Sequence, residues 1–215
     1  ATHAWLGMPE VEILERAAEL GDDLLLVGPS TRRRAGWFGV GRTASRLVQS
    51  AHMPILVAKG DLAEKPACIV AATDFSDASR PALVEAVELA RLWDAELVLL
   101  HVLEPLFHLH GLTAKIAGES EVYAVEPADL EPEWESLASH LDLEGLRHRH
   151  EVVKGEPVEA IISAAENAGA DLLVVGTHGR SAVTRALLGS SAEAVLEEYT
   201  GPVLVVPADA EVFAH

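Results

Sequence analysis

The stretch that decides the fold is residues 170–206, ADLLVVGTHGRSAVTRALLGSSAEAVLEEYTGPVLVV. Its apolar run, glycine-containing loop, helical run and second apolar run predict a buried strand, a loop, a helix and another strand. Residues 22–58, DDLLLVGPSTRRRAGWFGVGRTASRLVQSAHMPILVA, have the same layout 148 positions earlier. The chain therefore contains an internal repeat, which has to be recognised before any fold is assigned.

The repeat aligns residues 7–61 with 155–209 without a gap, and seventeen of the 55 positions are identical. Before the second copy, ACIVAATD and AELVLLHVL are typical of strands buried on both faces. The run DASRPALVEAVELARLW between them predicts a helix with Asp77 or Ser76 as its N-cap. A third strand is expected at roughly 146–154, followed by a helix from Pro157 to a C-cap at Gly169.

This order of elements predicts an α/β fold with an open, mostly parallel sheet and helices on both faces. A further short helix is expected near EWESLASHL, inside the long connection 104–145. The first copy lacks a counterpart to the first two strands, so we interpret 1–61 as the back half of one domain. Residues 62–209 form a complete domain, and 210–215 form a tail. Our hypothesis is that the chain is a fragment of a longer parent, or that another polypeptide supplies the missing elements.

Composition limits the classes of function. The net charge is −18 over 215 residues, which argues against binding to nucleic acid through phosphate contacts. Residues 1–61 hold seven basic and seven acidic residues, so the rest of the chain carries the whole negative excess. The sequence has no apolar run long enough to span a membrane and a single cysteine, Cys68. We therefore expect a soluble, cytoplasmic protein without a membrane partner.

The loop of the second copy has the form of a phosphate cradle. Gly176, Gly179 and Gly189 allow close backbone approach, and Ser190 and Ser191 stand at the start of a helix, whose N–H groups and dipole favour an anion. Asp74, at the end of the strand ACIVAAT, would face the same crevice beyond the carboxyl ends of the strands. Its carboxylate could accept hydrogen bonds from a ribose.

The pattern Gly176, Gly179, Gly189, Ser190 after DLLVV, together with ATDFSDAS, resembles the ATP-binding branch of the universal stress protein family, here as a tandem protein with an incomplete first domain. The resemblance implies a five-stranded sheet of the adenine nucleotide alpha hydrolase-like, Rossmann-like type in order 3-2-1-4-5. It also implies a stress-response role and a pseudo-dimer, or a homodimer, formed by the fifth strands at 55–58 and 203–206. The implied ligand is ATP or a related adenine nucleotide, with or without Mg²⁺, bound by Asp74, Val102, Gly176, His178, Gly179, Arg180, Gly189, Ser190 and Ser191.

Alternatives remain open at this point. A loop of this shape also serves as a plain strand-to-helix connection in a structural or interaction module, and bound phosphates would allow slow ATP hydrolysis. No catalytic set can be named from spacing, so the sequence does not indicate an enzyme. The dispersed histidines do not have the spacing of metal ligands; they are His101, His108, His110, His148 and His150. In the first copy, Thr31 and Arg42 replace the second glycine and the serine, so we expect this copy to have lost ATP binding. Arg32, Arg33, Arg34 and Arg42 could instead grip another anion or the acidic second domain, or the loop is simply exposed to water.

Overall fold

The computed structural model describes residues 6–28, 40–60, 63–105, 123–177 and 188–210. Within these ranges the chain forms seven strands and six helices, with a short 3₁₀ helix at Pro127–Leu130 before α4. In chain order they are α1 (Pro9–Leu20), β1 (Leu25–Val27), α2 (Arg42–Ser50), β2 (Ile55–Val57), β3 (Cys68–Ala72), α3 (Arg80–Trp93), β4 (Glu96–Leu103), α4 (Glu131–Ala138), β5 (His148–Lys154), α5 (Pro157–Ala168), β6 (Leu172–Gly176), α6 (Ser190–Glu198) and β7 (Val203–Val206).

All seven strands belong to one sheet, in the order β1-β2-β7-β6-β3-β4-β5. Neighbouring strands are parallel except β2 and β7, which are antiparallel. The expectation of a five-stranded sheet is therefore wrong for the sheet as a whole, which has seven strands and is mixed. The reason is that the apolar strands of the first copy continue the sheet of the second instead of forming one of their own. The strands from 68–206 lie in the order third, second, first, fourth, fifth.

The two copies of the repeat meet at the antiparallel pair. Leu56 lies opposite Leu204, and Ile55 and Val57 lie opposite Val205 and Val203. The segments 55–58 and 203–206, which the resemblance assigns as fifth strands, are thus neighbours within this chain. All of their paired side chains are buried, so the junction is part of the core.

Helices cover both faces of the sheet, because the central strands are apolar on both sides. On one face α3 and α4 pack over Ile69, Leu97 and Leu204. On the other face α2, α5 and α6 pack over Val70, Leu173 and further apolar side chains. Among the described residues, no helix is both long and apolar enough to cross a membrane.

The helix boundaries confirm some of the predicted caps and correct another. Helix α5 begins at Pro157, and Gly169 is its C-cap. The φ of Gly169 is 65°, in the left-handed region that favours glycine. Helix α3 begins later than predicted, with Ser79 instead of Ser76 or Asp77 at the N-cap. The difference arises because residues 76–79 form a turn, in which the Ser79 N–H donates to the Ser76 carbonyl at 3.1 Å.

Candidate functional site

The winding of the sheet reverses beside β3, and this creates a crevice. The chain passes from β3 through α3 to β4 on one side, and from β5 through α5 to β6 on the other side of β3. Helices α3 and α5 lie on opposite faces, so the connections after β3 and β6 diverge at the carboxyl ends of these two strands. Open parallel sheets bind their ligands at such a position. The predicted site residues that the structure describes all lie at or just beyond this edge.

Asp74 follows β3 and is held in a tight turn. Its Oδ1 accepts hydrogen bonds from the Ser76 N–H at 3.0 Å and the Ser76 hydroxyl at 2.5 Å. Phe75, between them, has a φ of 61°, a conformation that a residue with a large side chain adopts only when its surroundings enforce it. The carboxylate of Asp74 is therefore fixed at the end of the central strand.

A second set of hydrogen bonds enforces that turn. The Thr73 hydroxyl lies 2.9 Å from the Ser79 hydroxyl and accepts the Phe75 N–H at 3.0 Å. His101, from β4, has its Nδ1 2.8 Å from the Thr73 carbonyl oxygen, and its ring lies 4.4 Å from that of Phe75. Sequence reasoning missed these positioning residues. The hydroxyls of ATDFSDAS were a usable signal, whereas nothing local indicated His101.

The backbone groups of Val102 point towards the β3 side of β4. The Leu100 carbonyl accepts the Thr73 N–H at 2.8 Å, so it points towards β3. Alternate residues of a strand point their backbone groups the same way, so those of Val102 also face the β3 side. The ladder of β3 with β4 ends at Ala72 and Leu100, two residues earlier. The N–H and carbonyl of Val102 are thus directed into the crevice.

The second half of the crevice is formed by the end of β6 and the start of α6. Gly176 is the last residue of β6, and Gly189 is the N-cap of α6. The Gly189 N–H donates to the Thr177 carbonyl at 2.7 Å, which draws the two ends of the loop together. The N–H groups of Ser190 and Ser191, in the first turn of α6, make no hydrogen bond within the described part of the chain. His178, Gly179 and Arg180 lie outside the described residues.

The structure corrects one detail of the predicted cradle. Because the Gly189 N–H is already bonded to Thr177, it is not available to a phosphate in this conformation. Among the described residues, the donors at this end of the sheet are therefore the amides and hydroxyls of Ser190 and Ser191. Ser190 is exposed and Ser191 is half-buried.

The histidines have separate surroundings. His150 stacks on the buried Trp134, with ring centroids 4.7 Å apart, and His148 lies against the Leu146 carbonyl. No group of three or more His, Cys, Asp or Glu side chains among the described residues is arranged to hold a metal ion. His108 and His110 lie outside those residues.

A cavity of about 240 Å³ lies behind the Asp74 turn, between the start of α3 and α4. Its lining includes Phe75, Ser76, Arg80, Glu133 and His140. Of the predicted ligand-binding residues that the structure describes, none lines this cavity.

A buried lysine of the first copy contacts the C-terminal end of α6 in the second copy. Lys59, just after β2, has no exposed surface, and its Nζ donates to the Leu196 carbonyl at 2.6 Å and to the Tyr199 carbonyl. These carbonyls end α6, where a positive charge is favourable. Burial lowers the pKa of Lys59 to about 8, against a smaller opposing effect of Glu197. The second copy has Pro207 at this position, so the repeat gave no indication of the contact.

The first copy preserves the strand and helix but not the polar start of the helix. Gly41 is the N-cap of α2, as Gly189 is of α6, and Arg42 stands where α6 has Ser190. The Arg42 side chain is exposed. A cation in the first turn of a helix is unfavourable with respect to the dipole, and it offers no small hydroxyl. Thr31 and the arginines at 32–34 lie outside the described residues.

An open, largely parallel sheet with helices on both faces and a switch point beside its central strand defines a doubly wound α/β protein. Residues 68–207 match the universal stress protein family, so the chain belongs to this family. A universal stress protein of Methanocaldococcus jannaschii, MJ0531, is 35% identical over 140 residues, which cover 64% of this chain and 80% of the relative.

Two solved structures extend the comparison. A universal stress protein from Archaeoglobus fulgidus aligns over 93% of this chain and 65% of its own, with a TM-score of 0.64 and 22% identity, which shows a shared fold across both copies of the repeat. A universal stress protein in complex with cAMP aligns over 67% of this chain and 99% of its own, with a TM-score of 0.50 and 25% identity. That protein is thus one with the family fold that holds an adenine nucleotide.

Proposed function

We propose that the second copy binds ATP or a related adenine nucleotide in the crevice between β3 and β6, and that the protein acts as a stress-response binding protein. The observation that carries the proposal is the turn that fixes Asp74 at the end of the central strand, at the same edge of the sheet as the end of β6. In this arrangement Asp74 accepts hydrogen bonds from the ribose hydroxyls. The backbone of Val102 contacts the adenine.

The phosphates are assigned to the other side of the crevice. Ser190 and Ser191 present amide and hydroxyl donors at the positive end of α6. Gly176 permits close approach at the end of β6, and His178, Gly179 and Arg180 complete the proposed site by resemblance. Mg²⁺ is proposed only as a companion ion of the phosphates. The known complex of a family member with cAMP supports an adenine nucleotide as the ligand class.

The wider role is also a proposal. We infer that the protein works in the cytoplasm, that nucleotide occupancy changes a surface presented to a protein partner or to a second copy of the chain, and that residues 1–61 and 62–209 are the domains involved. Support for the domain division comes from the repeat, whose two copies meet at the antiparallel pair of β2 and β7. ATP hydrolysis is not part of the proposal.

Calorimetric titration with ATP tests the proposed site. Asp74→Ala and Ser190→Arg, the second of which copies the first repeat, should each weaken ATP binding at least tenfold, about 1.4 kcal/mol. Arg42→Ser is the matched control and should leave the affinity unchanged. Equal binding by all variants would show that ATP does not bind in this crevice.

The second candidate is a structural or interaction module that does not depend on nucleotide. The hydrogen bond from the Gly189 N–H to the Thr177 carbonyl favours it, since this contact joins the end of β6 to the start of α6 without an anion. Under this alternative the melting temperature would not respond to ATP. ATP binding would raise the melting temperature, because a ligand that binds only the native state stabilises it.

A further inference from the structure

The cavity between the start of α3 and α4 is lined by side chains that the proposed nucleotide site does not use. Its volume of about 240 Å³ equals that of about eight water molecules, at about 30 Å³ each. Pockets for drug-sized ligands begin at about 300 Å³. The cavity therefore has the size for a small metabolite, and a nucleotide is too large for it.

One wall of the cavity is a single face of α4 and the residues that follow it. The wall includes Glu133, Ser136, Leu137 and His140. Their spacing of three and four residues places them on the same side of a helix. Leu137 is buried, whereas Glu133 and His140 are exposed. This wall thus combines an apolar base with polar groups that solvent can reach.

The opposite wall comes from the turn after β3 and the first turn of α3. It consists of Phe75, Ser76 and Arg80. The Phe75 ring contacts the rings of His101 and Trp134, with centroid distances of 4.4 and 4.7 Å. Phe75 therefore gives this wall an apolar surface in a fixed position, next to a cationic side chain.

Two opposite charges line the cavity without forming an ion pair with each other. The Arg80 guanidinium is paired with Asp77 through Nη2, while its Nε and Nη1 form no hydrogen bond with the described residues. The Glu133 carboxylate forms no ion pair or hydrogen bond with the described part of the chain. The nitrogens of Arg80 thus lie more than 4.0 Å from the Glu133 carboxylate oxygens.

This pattern of charge argues against a simple ion as the ligand. An anion at Arg80 meets the carboxylates of Asp77 and Glu133, and a cation at Glu133 meets the Arg80 guanidinium. Like charges oppose binding where water is partly excluded. A molecule that carries both charges is attracted by both walls, and an apolar part of it fits against Phe75 and Leu137.

We propose that this cavity binds a small amino acid with an aliphatic side chain. The ligand carboxylate accepts hydrogen bonds from the Arg80 N–H groups that Asp77 leaves open, and the ligand ammonium donates to the Glu133 carboxylate. The aliphatic side chain packs on Phe75 and Leu137. A guanidinium suits this role because its several N–H donors match the geometry of a carboxylate.

The site is independent of the proposed nucleotide site. None of the residues assigned to the amino acid is assigned to ATP, and binding is measured with no nucleotide present. A failure of ATP binding therefore leaves this proposal unchanged, and a failure of amino-acid binding leaves the nucleotide proposal unchanged.

NMR titration of the 215-residue chain with L-leucine tests the site. Saturable shifts are expected at the backbone amides of Ser76, Arg80 and Ser136. Two analogues each lack one charge: 4-methylpentanoate has no ammonium, and 3-methylbutylamine has no carboxylate. Each analogue should bind at least tenfold more weakly than L-leucine, because one wall then meets no opposite charge.

Glu133→Gln removes the negative charge from the α4 wall and nearly keeps the size of the side chain. It should weaken L-leucine binding at least tenfold, whereas 4-methylpentanoate should bind equally well or better because a repelling carboxylate is lost. Glu135→Gln is the matched control, since Glu135 is also exposed on α4 but does not line the cavity. It should leave the affinity for L-leucine unchanged.

Arg80→Gln tests the opposite wall. This variant should weaken the binding of both L-leucine and 4-methylpentanoate, because both contain the carboxylate that Arg80 is proposed to hold. Any one of three results would overturn the proposal. These are the absence of saturable shifts at the cavity, an affinity for L-leucine that Glu133→Gln does not change, and an analogue with one charge that binds as tightly as L-leucine.

Discussion

Residues 7–61 and 155–209 have closely related sequences but different surroundings. In the second copy β6 lies between β3 and β7, and its side chains are buried on both faces. In the first copy β1 has one neighbour among the described strands, and the start of α2 carries Arg42 in place of a serine. The repeat thus determines the local elements, whereas the neighbouring strands determine how far each copy is buried.

The largest expected difference between the copies is in stability. Leu172→Ala removes a buried side chain and should lower the free energy of unfolding by about 2–5 kcal/mol. Leu24→Ala, the same change at the matching position, should cost less than about 1 kcal/mol, because Leu24 is already partly in water. Urea unfolding of both variants measures the difference. Equal losses would mean that β1 is as well covered as β6.

Lys59 provides a smaller, pH-dependent test of the junction. Its pKa is about 8 in the folded chain and near 10.5 when unfolded, so between these values the unfolded chain binds more protons. The free energy of unfolding of the wild type, relative to Lys59→Met, should therefore rise with pH from about 8 to 10.5, by on the order of 2–3 kcal/mol. Denaturation curves at pH 7.5, 9 and 10.5 measure the trend. A flat difference would show that Lys59 is not desolvated at the junction.

The smallest expected effect concerns the turn that positions Asp74. His101→Phe keeps a ring against Phe75 but loses the contact with the Thr73 carbonyl, so ATP affinity should fall about three- to tenfold. The stability loss should be about 1 kcal/mol. His150→Phe, at the ring stacked on Trp134, is the control and should leave ATP affinity unchanged in calorimetry. An unaltered ATP affinity in His101→Phe would show that His101 does not help to position Asp74 for binding.

Much of the fold could be predicted from the sequence, because apolar runs such as those of β3 and β6 are short, continuous and bounded by turn residues. The ends of α5 could also be predicted, because Pro157 is typical of the first turn of a helix and Gly169 of a C-cap. The start of α3 could not be predicted, because Ser76, Asp77 and Ser79 are all residues that favour the N-cap. The turn that selects Ser79 depends on the contact with Thr73. The continuation of the sheet to seven strands depends on contacts between the copies.

The candidate site was predictable only where a motif carried it. Asp74 and Ser190 follow from strand ends and helix starts, and the structure places both at the same edge of the sheet. His101 and Lys59 were not predictable, since each contacts a backbone carbonyl far away in the sequence. The hydrogen bond of the Gly189 N–H could likewise not be predicted, because a glycine in a motif does not show which of its backbone groups are already hydrogen-bonded.

The stoichiometry of ATP binding shows which copy of the repeat holds the nucleotide. Equilibrium dialysis of the wild-type chain should give one ATP per chain, and Ser190→Arg should reduce this value to near zero at the same ATP concentration. Arg42→Ser should still give one ATP per chain. Two ATP per wild-type chain, or one that persists in Ser190→Arg, would contradict the assignment of binding to the second copy.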